Sequence, residues 1–223
     1  MRRHIVLTTL LALVATSTAS AQTWTEGKNY FTIVPPQHTD VPAGKIEVTE
    51  IFSYGCPYCA QFNPYIQTLR KQLPANVVLD FVPASFLPAE DWPMFQRATC
   101  TAQILGIFDK THDAVFDAVW KTGELAIYDK TSQRLKSSLP TIEDAARYYN
   151  RISGVPVEKF LATAKSFAVD VKMRRDDALL EAYQVTGTPT MIINGKYRVD
   201  TTAAGGFQQT IDVVRWLLAK EPK

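Results

Sequence analysis

Apolar and polar positions follow two periodicities along this chain, and the change between them marks its organisation. Residues 45–53 and 77–84 are short β-branched runs typical of buried strands. From 91 to 183 the apolar residues recur instead at the spacing of three and four that a helix requires. At 190–193 and 196–199 the strand pattern returns, and the Asn-Gly pair between these runs predicts a type I′ hairpin turn.

The remaining elements complete a recognisable order. A helix is predicted directly after the first strand, a final helix at 207–219 and a short edge strand at 30–33. The order is therefore βαβ, a helical block and ββα, and the strands on both sides of the block must complete one sheet. We predict an α/β fold in which residues 22–90 and 184–223 form one domain and residues 91–183 an all-helical insertion.

Helices within the block are predicted at 142–149, 157–164 and 167–183. The run 172–177 in the last of them mixes basic and acidic residues that nearly cancel, and we interpret it as a solvated helix face. Cys100 lies on an earlier helical segment, and we expect it to be a small buried residue. Regulatory or intermolecular pairing of Cys100 is the alternative.

The beginning of the chain predicts export. Arg2 and Arg3 precede an apolar run at 5–15 and an Ala-Ser-Ala sequence at 19–21, which together are typical of a cleaved secretory signal peptide. A membrane anchor is the alternative, but an apolar run of about 11 residues falls short of the roughly 20 that cross a bilayer. We predict that residues 1–21 form the signal peptide.

Charge and cysteine content exclude some classes of function. Without residues 1–21 the chain has 22 basic and 22 acidic residues, so it lacks the basic surface of a nucleic-acid-binding protein. Its three cysteines are Cys56, Cys59 and Cys100. An exported protein stapled by disulfides normally has an even set of cysteines spread along the chain. The close pair is therefore predicted to be reactive rather than structural.

That pair forms the motif Cys56-Pro57-Tyr58-Cys59, placed where a strand gives way to a helix. Disulfide exchange needs a thiolate that attacks and a second thiol that resolves the mixed disulfide. The unpaired N–H groups at a helix N-terminus stabilise a thiolate at the first position. We predict that Cys56 is the exposed nucleophile and Cys59 the buried resolving thiol.

A Cys-x-x-Cys pair is also half of many zinc sites. The other ligands would have to come from Cys100, His38 and His112, and these three residues show none of the usual ligand spacing. We interpret both histidines as surface residues and predict no bound metal.

A second motif, Gly187-Thr188-Pro189-Thr190, directly precedes a predicted strand. Proline can simply begin a strand. Together with an upstream Cys-x-x-Cys, however, Thr-Pro resembles the cis-proline loop that faces the active-site sulfurs of thioredoxin-like proteins. A cis bond at Pro189 would expose the backbone of Thr188 to an incoming substrate strand.

The segment 50–62, the helical block, the loop 187–190 and the Asn-Gly-Lys-Tyr hairpin at 194–197 together resemble the DsbA family of periplasmic thiol:disulfide oxidoreductases. The resemblance implies a thioredoxin domain interrupted by a helical domain, with no separate cofactor. It implies that the Cys56–Cys59 disulfide is donated to newly exported cysteine-containing proteins. It further implies reoxidation by DsbB, a quinone-linked membrane partner.

The resemblance also assigns roles to individual residues. Pro57, Tyr58, Thr188 and Pro189 would contact the substrate. Glu50 would match a buried acid that shuttles protons to and from the resolving thiol. The alternative is a carboxylate that faces solvent. In a strand, however, Glu50 shares one face with Val48 and Phe52, and because that face is otherwise apolar we favour burial.

Two positions depart from the family pattern. Tyr58 stands where well-studied DsbA proteins have histidine, and a tyrosine supplies no positive charge to the thiolate. We therefore predict a weaker lowering of the Cys56 pKa and a disulfide less oxidising than that of the strongest DsbA oxidants, at about −120 mV. Thr188 stands where valine often precedes the cis-proline in DsbA proteins. A threonine at this position resembles the pattern of thioredoxin-like isomerases and reductases.

Three functions consequently remain in view. The first is oxidation of substrate thiols, and the second is a glutathione-linked reductase or a disulfide isomerase. Isomerases of this type usually carry an N-terminal dimerisation domain, for which residues 22–55 leave little room, so we predict a monomer. The third is a non-catalytic periplasmic chaperone.

Overall fold

A mixed five-stranded sheet lies at the centre of the computed structural model, which describes residues 23–222. The spatial order is β1-β5-β4-β2-β3, where only β2 and β3 are parallel. The strands are β1 (Phe31–Thr32), β2 (Ile46–Phe52), β3 (Val77–Pro83), β4 (Thr190–Ile193) and β5 (Tyr197–Asp200). The predicted signal peptide lies outside the described residues.

Eight α-helices accompany the sheet among the described residues. They are α1 (Pro57–Gln72), α2 (Trp92–Ile104), α3 (Phe108–Asp117), α4 (Ile142–Ser153), α5 (Val157–Ala164), α6 (Phe167–Ala182), α7 (Thr201–Ala204) and α8 (Phe207–Leu218). A 3₁₀ turn occupies Pro88–Glu90, and a π-helical turn, Ala118–Thr122, continues α3. None of the helices in 23–222 is long and apolar enough to span a bilayer.

The βαβ, helical block and ββα order is confirmed. Helices α2 to α6 all fall between β3 and β4. The predicted hairpin turn is present, since Asn194 and Gly195 have φ of 53° and 63°, as a type I′ turn requires. A Cβ at Gly195 would lie 2.2 Å from the Gln37 carbonyl oxygen, so glycine is also needed sterically.

Strand β2 is buried along its whole length because helices cover both faces of the sheet. Val48 and Phe52 share one face and one core cluster with Phe62 of α1 and Val213 of α8. On the other face, Ile51 packs in a second cluster that includes residues from the end of α6, namely Leu180 and Tyr183. The α1 face is the one that positions the site.

An aromatic cluster joins the helical block to the sheet. The ring centroid of Phe52 lies 5.9 Å from those of both Phe81 and Phe116, and 6.3 Å from that of Phe108. Such aromatic contacts add to the free energy of burial. The insertion is therefore packed directly against the strand that leads into the cysteine motif, while its exact boundaries at 91 and 183 stay a prediction.

The prediction of a solvated face at 172–177 was wrong for one residue. Asp176 is buried on the inner side of α6, where its carboxylate lies 3.2 Å from the Lys172 ammonium and accepts from the Cys100 thiol at 3.3 Å. The buried charge is balanced by the lysine from its own helix, a pairing that net charge alone does not reveal. Cys100 is buried, as predicted.

Candidate active site

Cys56 is the N-cap residue of α1. Its backbone is extended, with φ −87° and ψ 117°, and Pro57 occupies the first helical position, where its missing N–H is not needed. The Cys59 amide donates to the Cys56 sulfur at 3.4 Å. A sulfur therefore takes the place of the usual serine or aspartate oxygen at this cap. In its thiolate form it can accept hydrogen bonds from the free N–H groups at the start of the helix.

These donors change the acidity of Cys56. A hydrogen bond from the Cys59 side chain, and weaker ones from Thr188 and from the amides of Cys59 and Tyr58, lower the pKa of Cys56 to about 6 against the opposing effect of burial. The thiolate is thus the main form of reduced Cys56 at neutral pH.

The expectation that Cys56 is exposed was wrong. Only 4% of Cys56 is accessible, compared with 0% of Cys59. The reason is the loop before β4, whose Thr188 carbonyl lies 3.5 Å from the Cys56 sulfur. Cys56 is still the more accessible thiol, and both cysteines are free.

Cys59 differs in acidity from Cys56. Complete burial raises its pKa well above the ordinary value, and the Cys56 thiolate and Glu50 add to this effect. One thiol of the pair is therefore poised as a thiolate and the other stays protonated. This asymmetry is what an attacking and a resolving cysteine require.

Glu50 lies on the α1 face of β2 and is 1% exposed. Its neighbours in register are Phe81 on β3 and Met191 on β4, and neither carboxyl oxygen has a hydrogen-bond partner within 23–222. Burial, followed by the charge of Cys56, raises the pKa of Glu50 well above the ordinary value. The predicted burial is confirmed, and burial favours the neutral form of the carboxyl.

The loop before β4 has the geometry expected from its sequence. The Thr188–Pro189 peptide bond is cis, and Pro189 is buried while Thr188 is half-buried. Pro57 and Tyr58 lie on the surface, with Tyr58 61% exposed. The two motifs, which are 132 residues apart, therefore meet at Cys56.

A groove of about 470 Å³ opens beside the cis-proline. It is lined by Tyr58, Thr188, Thr201, Thr202, Gly205, Gly206 and Phe207. A larger cavity of about 560 Å³ lies at the opposite end of α1, and no residue of the Cys56–Cys59 motif lines it. The groove, in contrast, is lined by Tyr58 of the motif and by Thr188, whose carbonyl contacts the Cys56 sulfur.

Gly55 is required by close packing. A Cβ at this position would lie 2.6 Å from the Trp92 indole nitrogen, too close for any real contact. The Gly55 amide donates to the Ser53 hydroxyl at 3.2 Å, and the Cys56 amide donates to the Ser53 carbonyl at 3.1 Å. The chain thus makes a tight turn directly before the nucleophile.

The interpretation of His112 as a surface residue was wrong. His112 is 2% exposed, and its Nδ1 is hydrogen bonded to the Tyr54 hydroxyl at 2.9 Å. Its ring lies among Phe52, Phe81, Phe108 and Phe116. Amphipathic spacing on α3 places it inward, which its polar neighbours in sequence obscure. No group of three or more potential metal ligands occurs within 23–222.

Burial of His112 predicts a loss of stability in mild acid. Burial lowers the pKa of His112 to about 3, whereas an unfolded histidine titrates near 6.5. The contribution of neutral His112 to the free energy of unfolding is complete above pH 6.5. It is lost progressively as the pH falls towards 3, and the loss is about 2 kcal/mol at pH 5. Urea unfolding of wild type and His112→Asn at pH 7.5 and 5.0 measures it. Asparagine is always neutral and retains an acceptor for Tyr54, so equal losses in both proteins would contradict the assignment.

Several residues around the motif were not anticipated from sequence. The Trp120 indole donates to the Tyr54 carbonyl at 2.8 Å, and Thr201, Thr202 and Phe207 line the groove. No motif marks them, because each becomes relevant only when the chain folds back on Cys56. The helical pattern around Trp120 was visible, but the π-helical turn that carries it was not.

Comparisons with known proteins agree with this geometry. The family described as DSBA-like thioredoxin domain matches residues 47–212. The thiol:disulfide interchange protein DsbA of Pseudomonas aeruginosa PAO1 is 37% identical over 221 residues, covering 98% of this chain and 97% of that protein. The crystal structure of P. aeruginosa DsbA superimposes with a TM-score of 0.73 at 38% identity, covering 88% and 94% of the chains. The oxidoreductase DsbA from Xylella fastidiosa gives 0.74 at 30% identity, covering 87% and 95%.

Proposed function

We propose, since this chain belongs to the family of DsbA-like thioredoxin domains, that it acts as the oxidant of exported proteins. The chain is a thiol:disulfide oxidoreductase, as its named relatives are thiol:disulfide interchange proteins. The observation that supports the oxidising direction is the lowered pKa of Cys56, to about 6. A stabilised thiolate favours the reduced enzyme, and therefore makes its disulfide a stronger oxidant.

Disulfide transfer takes two exchange steps. A substrate thiolate attacks the Cys56 sulfur, the Cys56–Cys59 bond breaks, and Cys59 leaves as a thiolate that takes up a proton. The second substrate thiolate then attacks the substrate sulfur of the mixed disulfide and releases Cys56 as a thiolate. Two electrons pass to the enzyme, and the substrate gains one disulfide. A leaving thiol of low pKa departs faster, so Cys56 is suited to the second step.

Glu50 supplies the proton that Cys59 takes up. It is buried beneath the motif, and burial, followed by the charge of Cys56, raises its pKa well above the ordinary value, which favours its protonated form. A thiolate released at the fully buried Cys59 is costly without a nearby proton donor. In reoxidation the same carboxylate accepts the proton again.

The groove beside the cis-proline binds the substrate. Thr188 offers its backbone to an extended segment, while Pro189, Pro57 and Tyr58 form the surface around the sulfur. Cysteine-containing exported proteins are the partners, and a quinone-linked membrane protein of the DsbB type restores the disulfide. We place the enzyme in the periplasm as a monomer, with its helical insertion at 91–183 and its signal peptide at 1–21 removed.

The direction of electron flow is tested with purified protein. The oxidised enzyme is mixed with a reduced two-cysteine peptide at pH 7, and formation of the cyclic peptide disulfide is followed by mass spectrometry. Stoichiometric transfer within seconds supports an oxidant. Efficient reduction of insulin with glutathione, and no transfer to the peptide, would indicate instead the reductase that Tyr58 and Thr188 suggest.

Replacing Tyr58 by histidine should make the disulfide more oxidising. A partly protonated imidazole next to Cys56 favours the thiolate, and because position 58 is 61% exposed we expect a pKa decrease of only about half to one unit. One unit corresponds to roughly 30 mV in the reduction potential. Equilibration with glutathione redox buffers measures the change. Tyr58→Phe keeps the ring without charge and should match wild type; an identical potential in all three proteins would rule out this charge effect.

A further inference from the structure

Tyr54, two residues before the nucleophile, is held at two points by the segment 108–122. Its carbonyl accepts from the Trp120 indole N–H at 2.8 Å, and its hydroxyl is bonded to His112 Nδ1 at 2.9 Å. Tyr54 itself is 1% exposed and packs edge-on against Phe116, with ring centroids 4.9 Å apart. Both the backbone and the side chain of this residue are therefore held by a segment far from it in the sequence.

The backbone contact bears directly on the turn into α1. The Tyr54 carbonyl and the Gly55 amide belong to one peptide unit, and the Gly55 amide donates to the Ser53 hydroxyl at 3.2 Å. Trp120 thus pairs one polar end of this peptide and Ser53 pairs the other. A rotation of the peptide would break both bonds, and would move Cys56 away from the N-cap position in which it accepts from the Cys59 amide.

The π-helical turn is what presents the indole. Residues Ala118–Thr122 have the wider π geometry and end at Gly123, which has a φ of 85°. Ala118 and Val119 are buried, while Trp120 is half-buried and also packs against Tyr128. Short π-helical turns within α-helices often occur at functional sites because they redirect one side chain.

We propose that Trp120 and His112 are positioning residues for disulfide exchange, which hold Tyr54 and thereby keep Cys56 at the N-cap of α1. Neither residue touches the reacting sulfurs. Their effect passes through the Tyr54–Gly55 peptide, and it couples the helical insertion to the chemistry of the thioredoxin domain. This inference rests on exchange at Cys56, but it does not depend on the direction of electron flow.

Trp120→Phe and Tyr54→Phe test the two contacts. The first removes the indole donor and keeps an aromatic ring, and the second removes a single oxygen atom. We expect the Cys56 pKa, measured by thiolate absorbance at 240 nm, to rise by about half a unit or more in Trp120→Phe, and less in Tyr54→Phe. Peptide oxidation should slow about tenfold in Trp120→Phe, since a buried hydrogen bond is worth about one power of ten.

Trp216→Phe is the matched control, because Trp216 lies on α8 and packs on Tyr30, away from the motif. It should leave the Cys56 pKa unchanged even if its midpoint of thermal unfolding falls. The proposal is overturned if Trp120→Phe folds and has the wild-type Cys56 pKa. If Trp120→Phe fails to fold, an unchanged pKa in Tyr54→Phe overturns it. Because the pKa is measured without substrate, failure of wild type to oxidise the peptide would refute only the proposed function.

Discussion

Cys56→Ser should lose disulfide transfer to a dithiol peptide by at least about a thousandfold, down to the uncatalysed background. Serine can form neither the disulfide with Cys59, which is the oxidising equivalent, nor the mixed disulfide with substrate, which is the covalent intermediate. Insulin reduction should disappear to the same extent. The rate of cyclic disulfide formation, followed by mass spectrometry, measures the loss.

Two further cysteine variants sharpen this result. Cys59→Ser should still attack but should not resolve, so covalent adducts with substrate should accumulate through Cys56. Cys100→Ala should transfer disulfides at the wild-type rate, because Cys100 is buried against Asp176 and its burial raises the pKa of the thiol. If Cys56→Ser remained active, the motif would not be the active site. Unchanged suppression of aggregation in an exchange-dead Cys56→Ser would reveal a separate chaperone function.

Glu50→Gln should slow disulfide transfer at pH 7 by roughly ten- to a hundredfold, at or just below the smallest effect typical of a positioned proton donor. Glutamine keeps the shape of the side chain but supplies no proton to Cys59. The deficit relative to wild type should shrink at lower pH, where solvent can protonate the released thiolate. Stopped-flow measurement of the first exchange step across pH 5–8 tests both statements.

The same substitution should also change how the free energy of unfolding depends on pH. The folded pKa of Glu50 is raised, so its stabilising contribution is complete below the unfolded value, near 4.3, and is lost as the pH rises through the folded value. Relative to wild type, Glu50→Gln should therefore gain stability as the pH increases. Glu47→Gln is the control: Glu47 is also buried with a raised pKa, but it lies on the other face of β2. It should change stability without slowing exchange, and equal slowing in both variants would contradict the role of Glu50.

Periodicity was enough to predict most of this fold. Apolar runs identified β2, β3 and β4, and the Asn-Gly pair located the hairpin, because these patterns reflect burial and local turn geometry. Alternation along β2 was also enough to predict that Glu50 is buried, since the other residues on that face are apolar. Within one element, the sequence therefore reports the environment of a side chain.

Contacts between distant elements were not predictable in this way. The cover over Cys56 comes from Thr188, and the donor to Tyr54 comes from Trp120, 66 residues along the chain. His112 looked polar because its neighbours in sequence are polar, although five aromatic rings surround it in the fold. The position of such groups depends on how the insertion docks, and no local pattern records that.

The position of the insertion in the chain also shapes the order in which the protein can assemble. Strand β2 leads into the cysteine motif, but its antiparallel neighbour β4 follows about 140 residues later, after all of α2 to α6. Pairings of such long sequence separation form slowly and expose intermediates to aggregation. During synthesis, Cys56 and Cys59 emerge well before Thr188 and Pro189, and the nascent chain thus carries two uncovered thiols. The last forty or so residues include Thr188 and Pro189, which cover Cys56 in the folded protein. Chains truncated before these residues should therefore crosslink through Cys56.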